Sequence, residues 1–258
     1  MRELERDLPS RPPAGAPRAP GRRLAVVGRG RLGRALADAL RRAGYPVEGP
    51  LGRGADGAGA EAVLLCVPDG EIAAAAAAVP AGRLVGHCSG ATGLAPLAGH
   101  EAFSLHPLMT VTERGAEFSG AGAAVAGSSR RALALAAELA RALGMCPVEL
   151  AEADRVAYHA AASMASNFLI TLEAAAERLA ATAGLERQLL VPLVRASVEN
   201  WARLGPRRAL TGPVARGDEA TVAAQRRAVR ERAPELGGLF DALVEATRSL
   251  AAAEAQPA

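Results

Sequence analysis

The chain has 258 residues, half of them apolar and only 3% aromatic, with a formal net charge of +3. It contains no lysine, so all thirty basic residues are arginine, which excludes Schiff-base or lysine general-acid chemistry. The first 23 residues carry the positive excess, and the formally neutral remainder, poor in aromatics, excludes the basic stripes and stacking platforms of a nucleic-acid surface.

Residues 1–22, rich in Pro, Ala and Arg, cannot bury apolar surface and are expected to form a disordered tail. No apolar leader core and no run of eighteen apolar residues occurs, which predicts a cytoplasmic protein with no membrane span. Cys66, Cys88 and Cys146 are odd in number and lack metal-type spacing, so neither a disulfide framework nor a metal site is expected. Strands are predicted at 24–27, near 46–48, and at 62–67, 83–87, 102–105, 123–126 and 146–150. Helices alternate with them, notably at 31–43, 71–79 and 129–143. This alternation predicts an α/β, doubly wound parallel sheet over residues 23–150. From 151 to 258 every segment has helical period (153–183, 186–204, 219–232 and 235–253), which predicts a second, all-helical domain.

The run GRGRLG at 28–33 directly follows a strand and opens a helix, the context that the dinucleotide-binding turn requires. Gly28 permits the tight turn, Gly30 lets the backbone approach a pyrophosphate, and Gly33 allows close packing, while Arg29, Arg31 and Leu32 complete the loop. An acidic residue at the end of the second strand would select NAD, but Glu48 comes early and Arg53 stands where a 2′-phosphate would lie. NADP is therefore the expected cofactor. Beyond the strand ends at 67 and 87 come Val67-Pro68-Asp69 and His87-Cys88-Ser89, where a doubly wound sheet holds its ligands. His106-Pro107 is expected in a turn after another short strand, with His106 near working pH as general acid. Arg155, His159, Ser163, Asn167 and Thr171 recur every four residues, giving a polar stripe that faces either water or a cleft. Arg216 can present a fork to a carboxylate, and Asp218 is placed to cap the helix that follows.

CVPD at 66–69, HCSGATG at 87–93, SLHPLMT at 104–110 and ALTGPVARGD at 209–218, together with the glycine turn, resemble one group of proteins. This is an uncharacterised bacterial family of Rossmann-like oxidoreductases in the 6-phosphogluconate dehydrogenase C-terminal-like superfamily. Its better-known relatives are ketopantoate reductase, pyrroline-5-carboxylate reductase and prephenate dehydrogenase. The resemblance implies a Rossmann domain followed by a helical substrate and dimerisation domain, and a homodimer. By similarity to prephenate dehydrogenases, Ser89 and His106 would be catalytic. In hydroxyacid-dehydrogenase relatives a helix presents a lysine with an asparagine four residues on. Asn167 matches the asparagine, but Ser163 stands at the lysine position, leaving His106 or His159 as proton donor.

The expectation is an NADPH-dependent reductase of a small 2-oxo acid or related carbonyl compound, ketopantoate-like by resemblance. Pro68 and Ser89 would flank the nicotinamide, Ser163 and Asn167 orient the carbonyl, and Arg216 hold a carboxylate. Two other readings stay open: an NADP-binding sensor or scaffold without catalysis, and an imine reductase.

Overall fold

The computed structural model describes residues 22–253, so the expected tail lies outside them except for Arg22. Two compact units form, the first ending at Ser163 and the second starting at Met164. The sequence places this division near residue 151. The difference is the short helix after that point, which belongs to the first unit.

In the first unit come β1 (Leu24–Val27), α1 (Arg31–Arg42), β2 (Val47–Leu51), β3 (Ala62–Leu65), α2 (Ile72–Ala77) and β4 (Leu84–His87). They are followed by β5 (Glu101–Leu108), β6 (Gly122–Gly127), α3 (Arg130–Ala142), β7 (Cys146–Glu149) and α4 (Arg155–Ser163). The seven strands form one sheet in the order β2-β1-β3-β4-β5-β6-β7. The first five strands are mutually parallel, β6 runs antiparallel to β5, and β7 is parallel to β6. This is a Rossmann-like, mostly parallel doubly wound sheet. From β1 the chain goes outward to β2 and returns to β3 on the other side, so the order reverses at the carboxyl ends of β1 and β3. That reversal opens the crevice in which such sheets bind ligands.

Strand periodicity divides the core. Leu24 and Val26 join Leu36, Leu40, Phe103 and Leu135 in one apolar layer. Ala25 and Val27 join Val63, Leu65, Ile72 and Val85 in the other. Both layers are buried because helices cover both faces, which is why β1 and β3 read as unbroken apolar runs.

Two elements depart from their predicted form. β5 is longer than expected and carries His106 and Pro107 inside the strand, opposite Ala124 and Ala123, not in a turn beyond it. A proline is tolerated there because β4 pairs with β5 only as far as Ser104, so the later residues have β6 alone as neighbour. The long helix expected from 153 to 183 is interrupted by a π-helical turn at Met164–Phe168. The extra residue in that turn breaks the four-residue stripe at Asn167.

The second unit holds α5 (Leu169–Ala181), α6 (Arg187–Leu204), α7 (Pro206–Ala209), α8 (Pro213–Arg216), α9 (Glu219–Arg232) and α10 (Gly237–Ala252). Among its described apolar residues only Val222, Val229, Ala233 and Val244 are buried. The two units thus differ sharply in how much core they own.

The Phe103 ring fills the space that a Cβ on Gly86 would take, and it is fully buried. Phe103→Ala should therefore lower unfolding free energy by about 3–5 kcal/mol. Urea unfolding checks this, and a loss below about 1 kcal/mol would show that the layer is not close-packed there.

Candidate functional site

The site begins where β1 turns into α1. Cys66 N–H donates to the Val27 carbonyl at 2.7 Å, and Gly28 N–H to the Leu51 carbonyl at 2.9 Å. These bonds tie the ends of β1, β2 and β3 together. Gly28 has φ +121°, and a Cβ on it would overlap the Cys66 carbonyl. One on Gly33 would overlap the Gly28 carbonyl. Gly30 differs: its backbone is extended, and nothing lies within 4 Å of the place a Cβ would occupy. No side chain caps α1, and no acid sits in its first turn. The loop therefore offers an open approach to unshielded helix-opening amides, a chemistry suited to a diphosphate.

At the end of β2, the Arg29 guanidinium lies 3.5 Å from a Cβ position on Gly52. Arg53, its side chain 83% exposed, pairs with Glu71 at 2.6 Å. Glu48 lies within β2, opposite Ala25, with its carboxylate toward Gly59. The end of this strand thus presents arginines, with Glu71 from the turn after β3 paired to Arg53. Arg31 is exposed, and Leu32 and Val67 are half-buried against the two core layers. Pro68 is exposed and precedes the turn Asp69–Glu71.

The loop after β4 is held by His87. Ser89 N–H donates to its Nδ1 at 3.2 Å, so the proton sits on Nε2, which donates to the Gly93 carbonyl at 2.9 Å. Burial, aided by the Arg155 charge, holds this imidazole below its usual pKa and hence neutral. The Ser89 hydroxyl donates to Asp69 Oδ2 at 2.7 Å and accepts from the Thr92 and Ala91 amides at 2.8 and 3.2 Å. Thr92 Oγ1 donates to the same Asp69 oxygen at 3.1 Å. Ser89 and Thr92 thereby fasten the β4 loop to the β3 loop. Gly90 follows, and a Cβ there would stand 2.9 Å from both the His106 and the His159 rings.

His106 Nδ1 and Tyr158 Oη form a 2.7 Å hydrogen bond, the rings meeting edge to face with centroids 5.5 Å apart. The His159 ring centroid lies 6.3 Å from that of His106, although His159 itself is exposed. Burial first, then His159 and Arg155, lower the His106 pKa to about 4. Burial raises the Tyr158 phenol, with Arg155 opposing. Arg155, expected on an exposed or cleft-facing stripe, is only 2% exposed. Its Nη2 donates to Ser104 Oγ at 3.1 Å and its Nε to Glu152 at 3.4 Å, while Nη1 has no partner.

The first unit thus brings Ser89, His106 and His159 together. Ser163 ends α4, half-buried. Asn167 and Arg216 belong to the second unit. Asn167 is exposed in the π turn, its carbonyl accepting from Thr171 Oγ1 at 3.0 Å. Arg216 is exposed at the end of α8. Asp218 caps α9 as its position suggests, accepting from the Thr221 amide at 3.0 Å and hydroxyl at 2.7 Å. The sequence marks Asp69 at a strand end but not its bonds to Ser89 and Thr92, and it singles out neither Tyr158 nor the burial of Arg155. For Tyr158 a signal existed: it is one of only two tyrosines, adjoins His159, and sits three residues after Arg155. Among the described residues no acidic, His or Cys cluster suits a metal ion, and no helix is long and apolar enough to cross a membrane.

A family model described as a domain of unknown function, DUF2520, matches residues 121–247. No curated protein matches the chain. The fold is similar to that of a Bacteroides fragilis protein provisionally named an NADP oxidoreductase, at 20% identity over 89% of this chain and 98% of that one, with a TM-score of 0.75. It is similar also to a protein from Thermotoga maritima, at 26% identity over 88% and 98%, with a TM-score of 0.73. A reductive aminase from Aspergillus terreus, solved with NADPH and ethyl-5-oxohexanoate, aligns at 18% identity over 88% and 95%, with a TM-score of 0.64.

The lowered His106 pKa sets a pH dependence. Between the unfolded value near 6.5 and the folded value of about 4, the unfolded chain binds more protons. The stability from this group is therefore complete above about pH 6.5 and falls away as pH drops toward 4, by on the order of 3 kcal/mol at most. Urea unfolding at pH 7.5 and 4.5 should show this loss, and His106→Gln should remove much of it. An unchanged pH slope in the variant would contradict the assignment.

Proposed function

We propose that this chain is an NADPH-dependent reductase of small carbonyl compounds, 2-oxo acids among them, with Tyr158 as proton donor and His106 as its hydrogen-bonding partner. One observation carries the reading. β1, β3, β4 and β5 are adjacent and parallel, so the glycine turn, the Pro68-Asp69 turn, the Ser89 loop and the His106–Tyr158 pair follow one another along one sheet edge. The open face of Gly30 and the arginines at 29, 31 and 53 suit a diphosphate and a 2′-phosphate. The names of the structural neighbours, an NADP oxidoreductase and an NADPH-bound aminase, support the same cofactor.

A reduced nicotinamide supplies a hydride when bound; the chain must supply orientation and a proton. His106, with its pKa near 4, carries no spare proton at neutral pH, whereas the Tyr158 phenol is protonated and hydrogen-bonded to it. Tyr158 therefore takes the donor role that sequence reasoning gave to His106. The Asp69–Ser89–Thr92 knot fixes the loops after β3 and β4 against each other. A second reading, reduction of imines, is favoured by the imine reductase and reductive aminase among the neighbours.

The protein works as a homodimer in the cytoplasm. Phe168, Ile170, Leu189, Leu193 and Trp201 are 58–69% exposed, an apolar display that a lone unit with so small a core does not sustain in water. A groove of about 490 Å³ between α5 and α6, lined by Ile170, Ala174, Leu190, Val191 and Val194 and by the charged Glu173, Glu177, Arg187 and Arg195, suits an amphipathic helix of a second copy. Sedimentation equilibrium should give twice the chain mass, with Leu193→Glu giving the single chain. A monomer before substitution would overturn this part.

Loss of nicotinamide absorbance with a panel of 2-oxo acids tests the activity. Tyr158→Phe should lower kcat by about 10²–10⁴-fold while leaving NADPH affinity within a few-fold. Full activity in that variant, or no turnover of any carbonyl by a protein that binds NADPH, would contradict the proposal.

A further inference from the structure

A guanidinium shut off from water is costly unless its donors are satisfied. Arg155 has 2% of its surface exposed, yet its hydrogen bonding is incomplete. Ser104 Oγ accepts from Nη2, and Glu152, a side chain 70% exposed, stands 3.4 Å from Nε. Nη1 is enclosed and donates to nothing.

Its placement follows from two periodicities. Arg155 and Tyr158 are three residues apart on α4 and so share a face. Ser104 and His106 are two apart on β5 and so share the other side of the contact. The helix and the strand therefore meet twice, Arg155 on Ser104 and Tyr158 on His106, which sets a fixed cation beside the phenol–imidazole pair. Facing His106 are Arg155, Tyr158 and His159 from α4, Asp69 from the loop after β3, and His87 from β4. His87 and His106 are held neutral, while His159 and the carboxylates of Asp69 and Glu152 are exposed and screened by water. Arg155 is the unscreened charge.

We propose that Arg155 is a positioning residue whose buried charge, held by Ser104, stabilises negative charge on Tyr158 Oη and commits the site to an uncharged reacting carbonyl group over an iminium cation. This rests on the reductase reading above. In carbonyl reduction the hydride bonds to carbon, the π pair moves to oxygen, and the phenol proton passes to that oxygen. A phenolate remains beside Arg155 and the imidazole and is reprotonated from solvent. In iminium reduction the hydride quenches a positive charge and no proton is delivered, so a buried cation nearby only raises the energy of the bound substrate. The directions in which Arg155 pushes its neighbours agree: it opposes the rise of the phenol and depresses the imidazole.

The test compares the full-length protein with Arg155→Met and Arg155→Lys. His106 is titrated by NMR without ligands, and kcat is measured with a 2-oxo acid and with a cyclic imine. In Arg155→Met the His106 pKa should rise from about 4, carbonyl turnover should fall about 10²-fold, and imine turnover should hold or rise. Arg155→Lys, which keeps the charge and loses the fork, should restore most of the carbonyl turnover and of the lowered His106 pKa. Equal losses on the two substrates, an unmoved His106, or a lysine variant indistinguishable from the methionine one would overturn the proposal. If Arg155→Met does not fold, Arg155→Gln, which retains an amide for Ser104, carries the comparison. Failure to bind NADPH overturns the reductase reading itself, whereas carbonyl reduction indifferent to Arg155 overturns only this proposal.

Discussion

Everything at the glycine turn depends on one close approach. Gly28 and Gly33 have no room for a side chain because the Cys66 carbonyl and the Gly28 carbonyl occupy that space. Their missing methyl groups bring the start of α1 down onto the ends of β1 and β3. The helix then opens directly over the point where the strand order reverses, with no side chain spent on its cap. Gly30 is free of this constraint, so its lack of a side chain serves whatever approaches from outside. Two glycines answer to the fold, and the third leaves its face open.

The same division of labour runs through the second half of the site. His87 and Ser89 stand at a strand end where sequence alone suggests chemistry, but their polar atoms are spent on the loop: His87 on Ser89 and Gly93, Ser89 on Asp69 and two amides. That loop, made slim by Gly90, presses on His106 and His159. The pair that the proposed reaction uses, His106 and Tyr158, keeps its polar atoms out of that loop, with Arg155 buried nearby in a medium of low dielectric constant. A buried cation costs stability, and in the proposed reaction the negative charge developing on the phenol offsets that cost.

Much of the first unit was legible in the sequence. β1, α1, β4 and α3 appear within a residue or two of their expected ends, because continuous apolar runs and the Gly44 and Gly144 stops leave little choice. The glycine turn was readable for the same reason. β5 was not: a His-Pro pair reads locally as a turn, and only the neighbour lost beyond Ser104 and gained at β6 makes it a strand. The partnership of Tyr158 with His106 spans 52 residues and depends on where α4 meets β5, which no spacing rule reaches. The stripe from Arg155 to Thr171 misled for two physical reasons. A π turn resets the helical phase at 164–168, and burial takes Arg155 out of the solvent its charge seems to demand. In the second unit helix periods were clear, but the exposure of Phe168, Leu189 and Trp201 was not, since periodicity gives the apolar face and not what covers it.

The most direct measurement uses the asymmetry among the three glycines. Gly30→Val adds bulk where the backbone is extended and the space is open, so the chain should unfold at the same urea concentration as before. Isothermal calorimetry should then show NADPH binding to the unaltered chain, more tightly than NADH, and no measurable binding to the valine variant. Unchanged NADPH affinity in a folded Gly30→Val protein, or no heat from the unaltered chain with either dinucleotide, would contradict the account.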